Sequence, residues 1–309
     1  MRAFLSRVMQ VRSRAIIMAV LSLMLPPFGF VGGGIMGLAT LRNGLVEGAL
    51  VAGATMSLAG VATWFFMNTA APVIVFMVVT GLPTLLLAAT LRYTRSLATT
   101  MTIAGLYGAI GVIGLRIAID GSSAWWRNQL HAILVQPALD EAAIDAGTME
   151  RLETLVDALT PMMIALPAGI MFSAILTLLL ARWWHAILDN PGGFGSEFRD
   201  LRFDPRLAIA AIIIGCIVIF ANQTAGISGD FLRIFIILYL FQGLAISHGV
   251  VVARGASTNW LVALYLLIVI DSIFIGFGFM TSLLVITGLI DAWFDFRARA
   301  RGERRPRKP

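Results

Sequence analysis

The chain has 309 residues, of which 59% are hydrophobic and 13% charged, with a mean hydropathy of +0.88. No water-soluble fold of this size buries so much apolar surface, so lipid is the solvent for most of it. The net charge of +6 and pI near 10.4 would point to nucleic acid in a soluble protein, but sided Lys and Arg beside anionic inner-leaflet lipid explain them here, and no nucleic acid is expected.

Apolar runs recur from Ala15 to Trp293. They predict an all-α, polytopic transmembrane bundle of about ten membrane-embedded segments, at 15–25, 27–41, 44–66, 71–91, 97–118, 161–184, 207–222, 230–252, 259–272 and 275–293. The basic stretch 1–14 precedes them. The apolar run passes Pro26 without a cleavage signal, so the first segment reads as an uncleaved span rather than a signal peptide. Pro26-Pro27 and the following glycines break the first pair of segments. The first five segments occupy 15–119. Residues 120–160 form an amphipathic stretch on the outer face, helical from Pro137 to Leu159, with Thr160 read as an N-cap and Pro161 as the first residue of the next span. This stretch either lies at the interface or covers an outward-facing cavity. The last five segments fill 161–296, with a loop at 185–206. The final pair reads either as one long helix or as a hairpin turning near Ser272–Gly276. The tail 297–309 is strongly basic.

Charge chooses among these topologies. With ten crossings and both termini cytoplasmic, 19 of the 23 Lys and Arg face the cytoplasm, and only Arg116, Arg127, Arg151 and Arg233 lie outside. Fusing the last two segments would expel the basic tail, so the hairpin is favoured. All seven tryptophans, including Trp64, Trp184, Trp260 and Trp293, fall at or just beyond a span end, where an indole is half buried and its N–H wet. The localisation that follows is multi-pass in a membrane with both termini cytoplasmic.

Polar groups inside a bilayer are functional candidates. Gln242 and His248 are the deeper pair and the candidate substrate-binding residues. Arg116 and Arg233 sit near outer ends and can snorkel, with Asn222, Gln223 and Asp271 at outer turns. Asp291 and Asp295 are four apart and share a helix face. Glu197, Arg199 and Arg202 lie on the same predicted side, so these five residues are expected to form an ion-pair network. The three histidines lack metal-ligand spacing, the single Cys216 lies in a span, and no catalytic motif occurs. No enzyme activity, cofactor or metal is expected. Small residues recur at Gly29, Gly33 and Gly37, at Gly105, Gly108, Gly111 and Gly114, and at Ala15 and Ala19, spacings that let helices approach closely.

The loop DNPGGFGSEFRDLRF (Asp189–Phe203) and the ending GLIDAWFDFRAR (Gly288–Arg299) resemble the YybS-like family of bacterial membrane proteins, which is distantly similar to the substrate-binding S components of energy-coupling-factor transporters. That resemblance implies a small-molecule-binding or transport-related subunit of a bacterial inner membrane, with Ala15 and Ala19 as the face that docks a coupling partner. S components usually have about six spans, fewer than the ten segments read here. The chain carries no nucleotide-binding loop, so ATP-driven transport would need a separate ATPase subunit. The alternative is a non-transporting scaffold or assembly factor whose polar loops dock other proteins.

Overall fold

The computed structural model describes residues 1–25, 27–119, 123–140, 145–221, 226–271, 278–300 and 302. Every regular element among them is helical. In chain order they are α1 (Arg2–Met9), α2 (Arg12–Met24), α3 (Gly29–Asn43), α4 (Leu45–Met67), α5 (Ala71–Phe76), a π-helical turn (Met77–Gly81), α6 (Leu82–Thr94), α7 (Leu97–Ile119), α8 (Ser123–Leu134), α9 (Gln136–Asp140), α10 (Ala146–Ile164), α11 (Leu166–Asp189), α12 (Gly193–Arg199), α13 (Pro205–Phe220), α14 (Ile227–Ala253), α15 (Asn259–Ile270), α16 (Phe279–Phe294) and α17 (Phe296–Ala300). Five are long and apolar enough to cross a bilayer: α4, the run Ala71–Thr94, α7, α11 and α14. The 13 residues of α2 and 15 of α3 reach only about 20 and 22 Å at 1.5 Å per residue, short of a hydrocarbon core about 30 Å thick.

The chain forms two compact units. The first comprises Met1–Ala104, Phe172–Ala208 and Ile237–Pro309, and the second Gly105–Met171 and Ile209–Ile236. In the first unit α3 is the central helix, with every residue from Gly32 to Leu41 buried. Its glycines make this possible. A Cβ on Gly32 would meet Ser22 and the Ala19 carbonyl of α2, one on Gly33 would meet Thr80 and Thr177, and one on Gly37 would meet Ala181 and Thr84. The helices around α3 therefore approach at backbone distance, as small-residue faces allow in lipid. On α4, by contrast, Val61, Phe65 and Phe66 are exposed, as lipid-facing side chains are.

Prolines explain two irregularities. Pro83 cannot donate to the carbonyl four residues back and its ring crowds that carbonyl. The wider π-turn Met77–Gly81 directly precedes it, so a stretch that reads as one span continues without a sharp break. Thr160 and Pro161 are not a helix start: α10 runs through both, and the Thr160 hydroxyl donates back to the Val156 carbonyl. The break falls at Ala165, and Pro167 takes the second position of α11, where a missing N–H costs nothing.

The last two segments are separate helices. The Asp271 carboxylate accepts the Met280 backbone N–H at 2.9 Å, whereas one continuous helix would hold residues nine apart about 13 Å from each other. The hairpin turn expected at Ser272–Gly276, together with Asn222, Gln223 and nearly all of the basic tail beyond Ala300, lies outside the described residues. Trp184 is covered by protein rather than exposed. It is buried against Gly34, whose missing side chain makes room for the indole.

In the second unit α8 packs on α10. Arg127 reaches Asp157 at 3.1 Å and Glu153 at 3.7 Å, and His131 lies 3.1 Å from Glu153. Asp145 precedes α10, and the Thr148 hydroxyl donates to it, holding that carboxyl below its ordinary value.

Candidate functional site

Two polar constellations stand out in the first unit. The deeper one centres on Gln242 and Asp291, both fully buried. Helices α14 and α16 cross there through Gly243 and Gly288: a Cβ on Gly243 would run into the Leu284 carbonyl, and one on Gly288 into the Tyr239 carbonyl. The spacings Gly243–Ser247 and Gly288–Ala292 are the sequence signal for this crossing. Because the backbones are so close, the Gln242 amide can donate to the Gly288 carbonyl at 2.9 Å and to Asp291 at 3.4 Å, while its oxygen accepts the Phe203 N–H at 2.9 Å.

Asp291 accepts the Phe296 N–H at 2.9 Å and pairs with the Arg297 guanidinium at 2.6 Å. Arg297 donates its other nitrogen to the carbonyls of Arg199 and Leu201, at 2.7 and 2.9 Å. Beside it, Arg202 pairs with Asp295 at 2.8 Å and donates to the carbonyls of Asp291 and Ala292 at the end of α16. The Asp291 carbonyl also accepts the capping Asp295 N–H, and the cation adds a second donor there and complements the dipole at the end of the helix. Burial would raise the Asp295 carboxyl, but the Ala298 N–H and the Arg202 guanidinium outweigh it and hold it below the ordinary carboxylate range.

The two motif stretches thus meet through Arg202–Asp295 and through Arg297 on the backbone of 199–201. Arg199 contributes its carbonyl, not its guanidinium. Glu197 stands apart from this cluster and pairs with Arg182 at 2.7 Å. The polar atoms of Gln242, Asp291 and Arg297 are spent on one another and on backbone. Such a set fixes one packing of the loop on the helices and leaves nothing to grip a ligand.

The second constellation is a cavity of about 480 Å³ lined by Leu41, Arg42, Leu91, Arg92, Arg95, Arg182, His185 and Glu197. Arg92 caps the end of α3 by donating to the Leu41 and Arg42 carbonyls. Arg42 pairs with Asp189 at 3.2 Å and Arg182 with Glu197. Arg95 has no carboxylate partner among the described residues. It ends α6 in the left-handed conformation (φ 52°, ψ 22°) that Gly or Asn adopts more readily. Four arginines against two carboxylates leave the pocket with an excess of positive charge.

No family model, curated protein or solved structure matches the chain.

The remaining predicted residues sit elsewhere. His248 hydrogen-bonds Tyr265 at 3.1 Å and meets the Phe198 ring edge to face, remote in role from Gln242. Ala15 and Ala19 are 2% and 0% exposed, facing the interior of the first unit. The small-residue face expected to dock a partner is instead consumed by α3, because Gly32 lets the two helices close on each other.

In the second unit, Arg116 and Arg233 do not snorkel alone. Both pair with Asp230, at 2.6 Å each, and that carboxylate is only 5% exposed. Asp230 is a residue that span-reading passes over. Its signal is the Asp230–Arg233 spacing of three on one helix. Among the described residues no group of His, Cys, Asp and Glu could hold a metal ion.

Proposed function

We propose that this protein is a multi-pass inner-membrane subunit that binds a small anionic molecule in the arginine-lined pocket, with both termini and the pocket on the cytoplasmic side. The observation that carries the reading is Arg95: a guanidinium without a carboxylate partner among the described residues, held in an unfavourable backbone conformation, and lining a pocket already rich in arginine. Guanidinium forks recognise carboxylates and phosphates bidentately, and a cavity of this volume suits a small ligand. The topology rests on the distribution of Lys and Arg, with about ten embedded segments of which α2, α3, α13, α15 and α16 are short. A binding role is also what the resemblance of Asp189–Phe203 and Gly288–Arg299 to YybS-like proteins would imply. Ala15 and Ala19 are buried within the first unit, which favours a partner engaging another surface.

Purification in mild detergent followed by native mass spectrometry tests the reading. A small anion should leave with the wild-type protein and be absent from Arg95→Gln. Co-purifying proteins with no small molecule would replace this reading with the scaffold alternative.

A further inference from the structure

A separate groove of about 650 Å³ opens between α14, α15 and α16. Its walls are apolar and include Ile246, Val250, Leu264 and Leu267. Ser247 and Thr287 lie along the walls, and its charged groups gather at one end. Arg254 follows the last residue of α14, Trp260 is the second residue of α15, and Arg299 lies on α17 just past α16. Both arginines are exposed, and neither has a carboxylate partner among the described residues; Arg299 rests on the Phe294 ring, 5.1 Å from its centre. Trp260 is 68% exposed beside them, a placement suited to headgroup depth, where an indole is half in hydrocarbon and half in water. The groove runs from this end past Leu267, seven residues or about 10 Å deeper along α15.

We infer that this groove holds one anionic phospholipid, its phosphate between Arg254 and Arg299 and an acyl chain along the apolar wall. Charge complementarity selects that occupant. A free phosphate would leave the apolar wall bare, and a zwitterionic lipid would gain less from two cations. The residues after Ala300 carry five more Lys and Arg, namely Arg301, Arg304, Arg305, Arg307 and Lys308. The chain's own tail would therefore meet like charge in the groove. The inference is independent of the Arg95 pocket, with which the groove shares no residue.

The test is native mass spectrometry of the full chain released from nanodiscs of equal phosphatidylglycerol and phosphatidylethanolamine. Wild type should emerge with phosphatidylglycerol bound in preference. The double variant Arg254→Gln/Arg299→Gln should retain it roughly 30-fold less, since each cation near a membrane surface adds about a fivefold attraction. Ala263→Phe, which fills the groove from its lining, should reduce retention of either lipid with both arginines intact. No preference in wild type, or unchanged retention in the double variant, would overturn the inference. So would displacement of the lipid by millimolar inorganic phosphate, which would indicate a free-anion site, or a lipid-free dimer, which would place a second copy in the groove. If the double variant failed to fold, the wild-type preference and Ala263→Phe would still decide.

Discussion

Replacing Arg297 by Met should destabilise the folded protein by about 3–5 kcal/mol, the usual cost of stranding one member of a buried ion pair. The structure sets this magnitude. The Asp291 side chain is fully buried, that of Arg297 is 7% exposed, and their oxygen and nitrogen are 2.6 Å apart. The substitution also removes the donor from the Arg199 and Leu201 carbonyls, so screening by water cannot make up the loss. Asp291→Asn should cost a comparable amount, because it leaves the buried Arg297 guanidinium without its carboxylate. The Arg297→Met/Asp291→Asn double variant should fall well short of the sum of the singles, with a coupling of about 1–3 kcal/mol. Unfolding in dodecyl sulfate mixed micelles, followed by tryptophan fluorescence, measures all four proteins. A loss under about 1 kcal/mol for Arg297→Met is the value expected of a surface pair, and would refute the buried lock. Strict additivity in the cycle would refute the direct pairing.

Four further outcomes follow from the packing. Gly288→Ala drives a Cβ into the Tyr239 carbonyl and should cost about 1–3 kcal/mol or more, whereas Gly60→Ala on α4, with open space around it, should be neutral or stabilise by up to about 1 kcal/mol; the same unfolding assay compares them. Ala19→Leu should lower the yield of folded monomer on gel filtration, because the face is internal; a folded monomer that had lost only a protein partner would restore the docking role. Asp295 is held below its ordinary carboxylate value, so its contribution to stability is present above the unfolded-state value and lost as pH falls through the lower folded-state value. Acid unfolding midpoints should therefore shift less in Asp295→Asn than in wild type. Asp230→Asn should destabilise the second unit, because Arg116 and Arg233 are then left facing each other around a neutral amide; protection from hydrogen exchange in α14 near Asp230 should drop.

The helical character, most element positions and the Arg202–Asp295 meeting could be read from the residues. Long apolar runs and a four-residue spacing of carboxylates are local signals, and charge sidedness places the loop and the last helix at one end. What escaped was set by tertiary partners. Nothing local shows that α3 lies behind Ala15 and Ala19, or that Gly34 makes a pocket for Trp184, because the same small residues serve an internal or an external face equally well. Gln242 could be singled out as buried and polar, but that its three hydrogen bonds are all taken by Phe203, Gly288 and Asp291 depends on residues 39 to 49 positions away. Arg95 reads as one more positive-inside residue, and only its backbone conformation and the pocket around it distinguish it.

The anion-binding claim is tested most directly by thermal unfolding of the protein in nanodiscs with and without pyrophosphate, citrate or glutamate, for wild type and Arg95→Gln side by side. A ligand that binds only the folded state at 100 times its Kd stabilises by about 2.7 kcal/mol, so at least one of these anions should raise the wild-type melting temperature by several degrees and leave Arg95→Gln unmoved. No shift with any of them, or the same shift in both proteins, would contradict the account.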